Sequence, residues 1–144
     1  MNVLPKFSES LTELMRDSNL NAERLGKLTN ISPAQIGRYT KGKDISLAVL
    51  LRLAEYFNCS LDYLCGRSDV KLSFTPKQCP PLMEWLPAVI KESGKTTYKV
   101  FKNTRIKSSY FVNWRKGGKP LLSSLGELAD YLECSLDRLI GRDR

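Results

Sequence analysis

The sequence contains an internal repeat with a period of 75 residues. Residues 7–69 align with residues 82–144 without a gap, and 20 of the 63 aligned positions are identical. Ten of these identities fall in one segment, where LAEYFNCSLDYLCGR at 53–67 matches LADYLECSLDRLIGR at 128–142. Self-similarity of this kind indicates that one structural unit occurs twice. A unit of about 60 residues can fold alone, although only marginally.

A proline-rich segment separates the two copies. Residues 70–81, VKLSFTPKQCPP, contain three prolines in twelve positions. Proline has no backbone N–H and discourages helix, so we predict an extended linker here, with a short strand at residues 70–74. The expected organisation is therefore a first domain at residues 1–69, a linker at 70–81 and a second domain at 82–144.

Each copy is predicted to form five short helices, because its apolar residues recur at helical spacing. In the first copy the predicted helices cover residues 7–17, 21–29, 32–39, 46–57 and 60–66. Their apolar faces carry Leu11, Leu14 and Met15, then Ala22, Leu25 and Leu28, and then the core positions Leu50, Leu53, Ala54, Phe57, Leu61 and Leu64. No segment alternates polar and apolar residues for long enough to build a sheet. The predicted fold class is all-α.

Serines mark the predicted helix starts of the first copy. Ser32 before Pro33 is a strong start signal, and Ser46 and Ser60 are expected to cap the next two helices. Asp62 stands in the positively polarised first turn of the fifth helix. In the second copy Lys107 and Leu121 replace Ser32 and Ser46. We therefore expect the third helix there to fray or to begin at Ser108, and the fourth to begin near Ser123.

Composition limits the classes of function. Lys and Arg number 23 against 15 Asp and Glu, a net charge of +8 that permits binding to nucleic acid or to an anionic membrane. The longest apolar stretch, residues 47–54, is too short for a membrane span, and the first residues lack a secretory pattern, so a cytoplasmic protein without a membrane partner is expected.

The residues that carry most enzyme chemistry are missing or scattered. The sequence has no histidine, and its cysteines (Cys59, Cys65, Cys79 and Cys134) form no CxxC pair. We therefore expect no metal, no cofactor and no catalytic activity. Cys59 and Cys134 each follow an apolar helical run, which favours buried and reduced thiols.

Two segments carry a resemblance to a known family. NAERLGKLTNISPAQIGRYTKGK followed by SLAVLLRLAEYFNCSLDYLCGR resembles the phage-repressor and Cro-like (XRE) family of bacterial-type helix-turn-helix domains. The second copy, TTYKVFKNTRIKSSYFVNWRKGGKPLLSSLGELADYLECSLDRLIGR, resembles the same family. The shared elements are the apolar scaffold of Leu25, Ile31 and Ile36, the Lys41-Gly42 ending and the Leu-Asp-x-Leu tail. The resemblance implies two tandem five-helix lambda-repressor-like domains.

The resemblance also implies which residues meet DNA. In such domains the N-terminal half of the second helix of the motif faces base edges in the major groove. The positions implied to face bases are Ala34, Gln35 and Arg38 in the first copy, and Ser109, Tyr110 and Asn113 in the second; Ser108 is included among the DNA-binding residues. The positions implied to lie near phosphates are Asn21, Lys41, Lys43, Thr96, Lys102, Arg115, Lys116 and Lys119. Asn21 and Thr96 would act beside Ala22 and Thr97, where the family often has a polar amide.

The distribution of charge suggests that both copies contact DNA. Residues 95–119 contain eight basic residues and no acidic one, whereas residues 20–44 contain five basic and two acidic residues, a net +3. The expected function is that of a sequence-specific regulator of transcription, a repressor, which binds double-stranded DNA and reads two half-sites with two recognition helices. Two fused domains gain affinity through a raised effective concentration.

An interaction module is the alternative. One helix-turn-helix copy would then pair chains or bind a regulatory protein, with Tyr110, Phe111, Val112 and Trp114 as its surface. Tyr110 fits either a thymine-methyl contact or such an interface. Tyr39 and Trp114 occupy equivalent positions and are expected to pack rather than to stack on bases. A homodimer and a protein partner both remain open at this point.

Overall fold

A computed structural model describes residues 2–144, and within that range the chain forms ten helices and no strand. The first repeat contains α1 (Leu4–Asp17), α2 (Ala22–Thr29), α3 (Pro33–Thr40), α4 (Leu47–Phe57) and α5 (Leu61–Leu64). The second contains α6 (Leu82–Glu92), α7 (Thr97–Asn103), α8 (Ser108–Arg115), α9 (Leu122–Leu132) and α10 (Leu136–Ile140). The all-α prediction is confirmed. None of these helices is long and apolar enough to cross a membrane.

Side-chain caps explain most of the helix starts. The Ser32 hydroxyl accepts a hydrogen bond from the Gln35 amide, and the Gln35 side chain accepts one from the Ser32 amide, which forms a complete capping box. Ser60 caps α5 with a single bond: its hydroxyl accepts a hydrogen bond from the Tyr63 amide at 3.0 Å. Ser46 stands before α4, but its side chain makes no capping bond. The prediction that Ser46 acts as a side-chain cap is therefore wrong.

The two substituted positions of the second repeat behave differently from each other. α8 begins at Ser108 without a side-chain cap from Lys107, which is one of the two expected outcomes. α9 begins at Leu122, the equivalent of Leu47, so the prediction of a start near Ser123 is wrong. The physical reason lies in the first repeat: the Leu122 amide donates to the Ile45 carbonyl at 2.8 Å, and the Ser123 amide donates to the Asp44 carboxylate at 3.1 Å.

The apolar residues of both repeats form one connected core. All six core positions predicted in the first repeat are buried, and so are their six equivalents in the second. Tyr39 is buried and Trp114 is half-buried against this core, as expected for packing residues. Leu28 was placed on the apolar face of α2 but is 46% exposed, and Thr29 is buried there instead. Thr29 satisfies its hydroxyl by donating to the Leu25 carbonyl at 2.7 Å.

The thiols are more varied than the sequence suggested. Cys59 is fully buried, as predicted, and so is Cys65. Cys134 is only half-buried, so the prediction that it is enclosed like Cys59 is wrong. Burial raises the pKa of the Cys59 thiol to about 11, against smaller opposing effects of Arg142 and Lys71.

The segment between the repeats contains no strand, so the strand expected at residues 70–74 is wrong. Instead the segment lies against both repeats through single backbone contacts. The Ser60 amide donates to the Lys71 carbonyl at 2.7 Å, and the Lys77 amide donates to the Arg142 carbonyl at 3.0 Å. Cys79 packs against the core. Single bonds of this kind do not form the ladder of backbone hydrogen bonds that defines a strand.

The two repeats pack against each other with an approximate two-fold relationship. Ser46 and Leu121, which are equivalent positions, face each other in an isolated antiparallel bridge. On one side of this bridge the Leu47 amide donates to the Pro120 carbonyl at 2.9 Å. On the other side Leu122 donates to Ile45, and Leu122 and Ile45 are the repeat equivalents of Leu47 and Pro120. Such reciprocal contacts, in which i meets j and j meets i, define an isologous interface.

A second set of reciprocal contacts lies at α5 and α10. The Asp62 carboxylate accepts from the Leu136 amide at 3.1 and 3.2 Å, and the Asp137 carboxylate accepts from the Leu61 amide at 3.0 and 3.1 Å. Each aspartate therefore caps the first turn of the helix in the opposite repeat, where the exposed amides and the helix dipole favour negative charge. Asp62 lies in the first turn of its own helix, as predicted, and Asp137 lies in the first turn of α10, but both carboxylates bond to the opposite repeat.

Two arginines neutralise these aspartates. Arg142 pairs with Asp137 at 2.9 Å, and Arg67 pairs with Asp62 at 2.6 Å. The guanidinium of Arg142 also donates to the Cys59 carbonyl across the interface, and that of Arg67 donates to the equivalent Cys134 carbonyl. Burial raises the pKa of the Asp62 carboxyl; the Leu136 amide and Arg67 oppose the rise, and the nearby Asp137 carboxylate adds to it.

Candidate nucleic-acid interface

The turn between α2 and α3 is tight because of two residues. Asn30 adopts the left-handed conformation that ends α2, with φ of 58°. The next residue, Ile31, then donates its amide to the Gly26 carbonyl at 3.0 Å. Gly26 faces the Ile31 carbonyl so closely that an added Cβ would lie 2.5 Å from that oxygen. Ile31 and Ile36 are buried under the turn, and this fixes α3 across α2.

The outer surface of α3 presents the side chains implied to face bases. Ala34 and Arg38 are exposed, and within residues 2–144 Arg38 pairs with no acidic side chain. Gln35 is half-buried, and its Oε1 accepts from the Ser32 hydroxyl at 3.1 Å in the capping box. Its amide nitrogen makes no bond to the described part of the chain, so Gln35 can offer donors outward while its oxygen is engaged.

Three further residues surround α3 in the first repeat. Asn21 caps α2 by accepting from the Arg24 amide at 2.8 Å, which leaves its amide nitrogen as an outward donor. Lys41 is the C-cap residue of α3, and Lys43 follows it; both are exposed. The structure thus brings the implied base-facing and phosphate-facing residues of the first copy around one motif.

The corresponding turn of the second repeat has a different construction. Phe101 occupies the position of Gly26, and its ring packs edge-on against Phe111 at 5.1 Å between centroids. A ring of this size prevents the close approach that Gly26 permits. α7 ends at Asn103, and its C-cap residue Thr104 is extended, with φ of −129°. The Ile106 amide donates to the Thr104 hydroxyl at 3.0 Å.

The residues of α8 implied to contact DNA are all exposed. This set comprises Ser108, Ser109, Tyr110 and Asn113. The Asn113 side chain lies over Gly118, where an added Cβ would overlap its amide group. Thr96 caps α7 by accepting from the Lys99 amide at 3.2 Å. Its hydroxyl hydrogen is free to donate outward, as a phosphate contact would need.

The basic residues between 95 and 119 in the second repeat form no ion pair within the described residues. Among residues 2–144 the ion pairs involve only Arg67, Arg138 and Arg142 on the basic side. None of the eight basic side chains between 95 and 119 therefore pairs with an acid. Seven of them are exposed, among them Lys102, Arg115, Lys116 and Lys119, while Lys95 is half-buried with its ammonium over the Tyr131 ring. This acid-free belt suits contact with a phosphate backbone.

The four-residue surface expected for the alternative function does not exist as a unit. Phe111 is buried in the core, because it faces Phe101, and Trp114 is half-buried against Phe111. Only Tyr110 and Val112 are exposed, at 39% and 45%. A helix of eight residues turns its side chains to all sides, so four near-consecutive residues cannot share one face.

Two helices joined by a tight turn, the second with a polar outer surface, constitute a helix-turn-helix unit. Residues 11–64 match the family described as helix-turn-helix, HTH_3, and form one XRE-type domain of that family. Such a domain implies DNA binding and a role in transcriptional regulation. The match does not extend to the second repeat. No curated protein and no solved structure gives a significant match to the chain.

The structure also assigns roles that the sequence interpretation missed. Arg67 and Arg142 hold the interface between the repeats, together with Asp62 and Asp137. A signal for them was present, since all four belong to the ten identities concentrated in one segment of the repeat. The sequence interpretation explained that segment as helix core and helix end. Charged residues that are identical in both repeats point instead to a shared contact.

Proposed function

We propose that the protein is a sequence-specific regulator that binds double-stranded DNA, acts in the cytoplasm as a repressor, and reads two half-sites with α3 and α8. The observation that carries this proposal is the pairing of an XRE-type motif with an acid-free basic belt in one chain. The motif supplies base readers, and the belt supplies affinity for phosphate. Occupation of an operator by a chain of this size would block access of polymerase.

The proposed roles follow from side-chain chemistry. Arg38 can donate two hydrogen bonds to guanine O6 and N7, and Asn113 can bind adenine N6 and N7 after its amide turns away from Gly118. Tyr110 offers a ring edge to a thymine methyl group. The donors of Gln35 suit an acceptor such as guanine O6 or thymine O4. Lysines of the belt, including Lys102, contact phosphates without reading sequence.

An interaction module remains a second candidate for the second repeat. The observation in its favour is the exposure of Tyr110 and Val112 on α8, together with Tyr98 at the start of α7. In that case the first repeat alone would read bases. The second repeat would then act through its surface rather than through base contacts.

Selection of bound duplexes from a random library, followed by three matched variants, tests the proposal. Arg38→Ala should lower affinity for the selected site by about 1–3 kcal/mol, have little effect on random DNA, and relax one base position. Asn113→Ala should relax a different position. Arg16→Ala, an exposed arginine at the end of α1, is the control and should bind like the wild type.

The outcomes separate the two candidates. Loss of preference in both Arg38→Ala and Asn113→Ala supports two reading helices. An effect of Arg38→Ala alone assigns base reading to the first repeat and favours the interaction module. Failure of the wild-type protein to retain any duplex at low salt contradicts DNA binding altogether.

A further inference from the structure

We infer that one chain occupies one operator as a built-in two-fold dimer, and that the two half-sites are inverted relative to each other and differ in sequence. This inference rests on the proposed DNA-binding function. It adds three properties that DNA binding alone does not require: the orientation of the half-sites, their non-identity and the number of chains per site.

The orientation follows from the contacts between the repeats. Two units in a chain can be arranged head to tail, in which case different surfaces meet, or about a two-fold axis, in which case the same surface meets itself. Here Ser46 pairs with its own equivalent, Leu121, in an antiparallel bridge. Residues that face their own equivalents lie at the axis. The exchanged caps of Asp62 and Asp137 repeat the same relationship at α5 and α10.

Two-fold-related readers match two-fold-related DNA. The sugar-phosphate backbones of a duplex have dyad axes perpendicular to the helix, and operator symmetry mirrors the symmetry of the protein that reads it. A head-to-tail pair would instead read half-sites in direct repeat. The contacts of this chain therefore predict inverted half-sites.

The distance between the readers is compatible with one turn of DNA. α3 ends at Thr40, six residues before Ser46, and α8 ends at Arg115, six residues before Leu121. Six residues span at most about 20 Å, and bridged residues lie about 5 Å apart. The ends of the two helices are consequently no more than about 45 Å apart, which accommodates the roughly 34 Å between successive major grooves on one face of a duplex.

One chain is sufficient because the two-fold interface is already occupied within it. The side chains of Asp137 and Arg142 are only 2% and 5% exposed, and their partners all come from the same chain. A second copy could reach this surface only by displacing a repeat. Binding should therefore show no dependence on an association of chains.

The half-sites must differ because the readers differ. Ala34, Gln35 and Arg38 on α3 correspond to Ser109, Tyr110 and Asn113 on α8. An arginine reads guanine, whereas an asparagine at the same position reads adenine. A perfect palindrome would match one helix and mismatch the other.

The experiment begins with the duplex selected by the full-length protein. Four rearranged duplexes are compared with it: one half-site reversed to give a direct repeat, each half-site duplicated as a palindrome, and a duplex with scrambled half-sites. We expect the selected duplex to bind at least about tenfold more tightly than each rearranged one, because mismatches weaken specific binding by this order. Sedimentation of the complex should give one chain per duplex, and the binding isotherm should be hyperbolic.

A symmetrised variant tests the geometry directly. Replacement of the three α8 readers by those of α3 (Ser109→Ala, Tyr110→Gln and Asn113→Arg) changes only exposed side chains, so the fold is retained. This variant should now prefer the palindrome made from the α3 half-site over the original duplex. The reverse exchange on α3, Ala34→Ser, Gln35→Tyr and Arg38→Asn, should prefer the other palindrome; because it also removes the Gln35 half of the capping box, circular dichroism first verifies its helix content.

Each outcome has a separate meaning. A preference for the direct repeat, two chains per duplex, or a symmetrised variant with unchanged preference overturns the inference while DNA binding stands. Absence of binding to any duplex by the wild-type protein contradicts the proposed function itself. Hyperbolic binding of one chain to the inverted, non-identical site supports both.

Discussion

Substitution of Asp137 by alanine should destabilise the fold strongly, and much more than the equivalent substitution of Asp62. The Asp137 carboxylate accepts two close bonds from the Leu61 amide and pairs with Arg142 at 2.9 Å, with both side chains almost fully buried. Removal of one partner of a buried ion pair costs about 3–5 kcal/mol, because the other charge remains without compensation. Relief of repulsion from Asp62 offsets part of this cost, so we expect about 3 kcal/mol.

Asp62 occupies the equivalent position with weaker consequences. Its side chain is 12% exposed, and its partner Arg67 retains a second ion pair with Asp130 at 2.9 Å. Asp62→Ala should therefore cost only about 1–2 kcal/mol, close to the loss of a helix cap. Asp69→Ala, an exposed aspartate outside the interface, is the control and should stay within about 0.5 kcal/mol of the wild type.

Urea unfolding followed by circular dichroism measures these differences by linear extrapolation. An equal or larger effect of Asp62→Ala than of Asp137→Ala would refute the assignment of the buried pair as the stronger contact. A loss below about 1 kcal/mol for Asp137→Ala would show that the exchanged caps contribute little net stability.

Three further outcomes follow from single contacts. Gly26→Ala should destabilise the first repeat by about 1–3 kcal/mol, because the added Cβ would lie against the Ile31 carbonyl oxygen. Gly37→Ala, which has open space around it, should be neutral or stabilising by up to about 1 kcal/mol. Thermal unfolding of the two variants measures the difference, and equal effects would contradict the close packing of the turn at Gly26. At pH 8 about one Cys59 thiol in a thousand is ionised, because burial raises its pKa to about 11. A thiol reagent should therefore modify Cys59 only after unfolding and the half-buried Cys134 sooner, and rapid native labelling of Cys59 would disprove its burial. Lys102→Ala should reduce the slope of log affinity against log salt by about one unit, and Lys71→Ala in the connecting segment should leave it unchanged; equal slopes for both would remove Lys102 from the phosphate contacts.

The sequence carried enough information for the helices and the first motif. Ser32 with Pro33 gives α3 a start that local chemistry alone determines, and apolar spacing identifies the core of α4 and α9. The prediction of helix caps failed where a segment distant in the sequence accepts the hydrogen bond from the first amide of the helix. Ser46 has the chemistry of a cap, yet the backbone of the second repeat at Pro120 takes that role through Leu47.

Helical spacing also cannot tell how a helix is rotated against its neighbours. Leu28 and Thr29 are adjacent, and the spacing rule chose the leucine for the interior, whereas the structure buries the threonine. A threonine is tolerated there because its hydroxyl bonds to the preceding turn. The candidate readers were identified through resemblance rather than through spacing, and their contacts with DNA remain a prediction.

The turn of the second repeat differs from that of the first, and only the first repeat matches the helix-turn-helix family. The alignment of the copies places Phe101 opposite Gly26, so the difference was visible in the sequence. The effect of this substitution on the turn could not be predicted from the sequence, because only the structure shows that Gly26 lies against the Ile31 carbonyl. A bulky ring at that position replaces a backbone contact by an aromatic pair with Phe111.

The exchanged caps have a consequence for the order of folding. The bonds from Leu61 to Asp137 and from Leu136 to Asp62 join residues 74–76 positions apart in the chain. During synthesis the first repeat therefore emerges with the Asp62 carboxylate and the Leu61 amide without their partners, until α10 of the second repeat is made. Contacts so distant along the chain form late, since loop closure must precede them. We expect refolding to end in a slow step, in which the segment that carries Asp137 and Arg142 docks onto the first repeat.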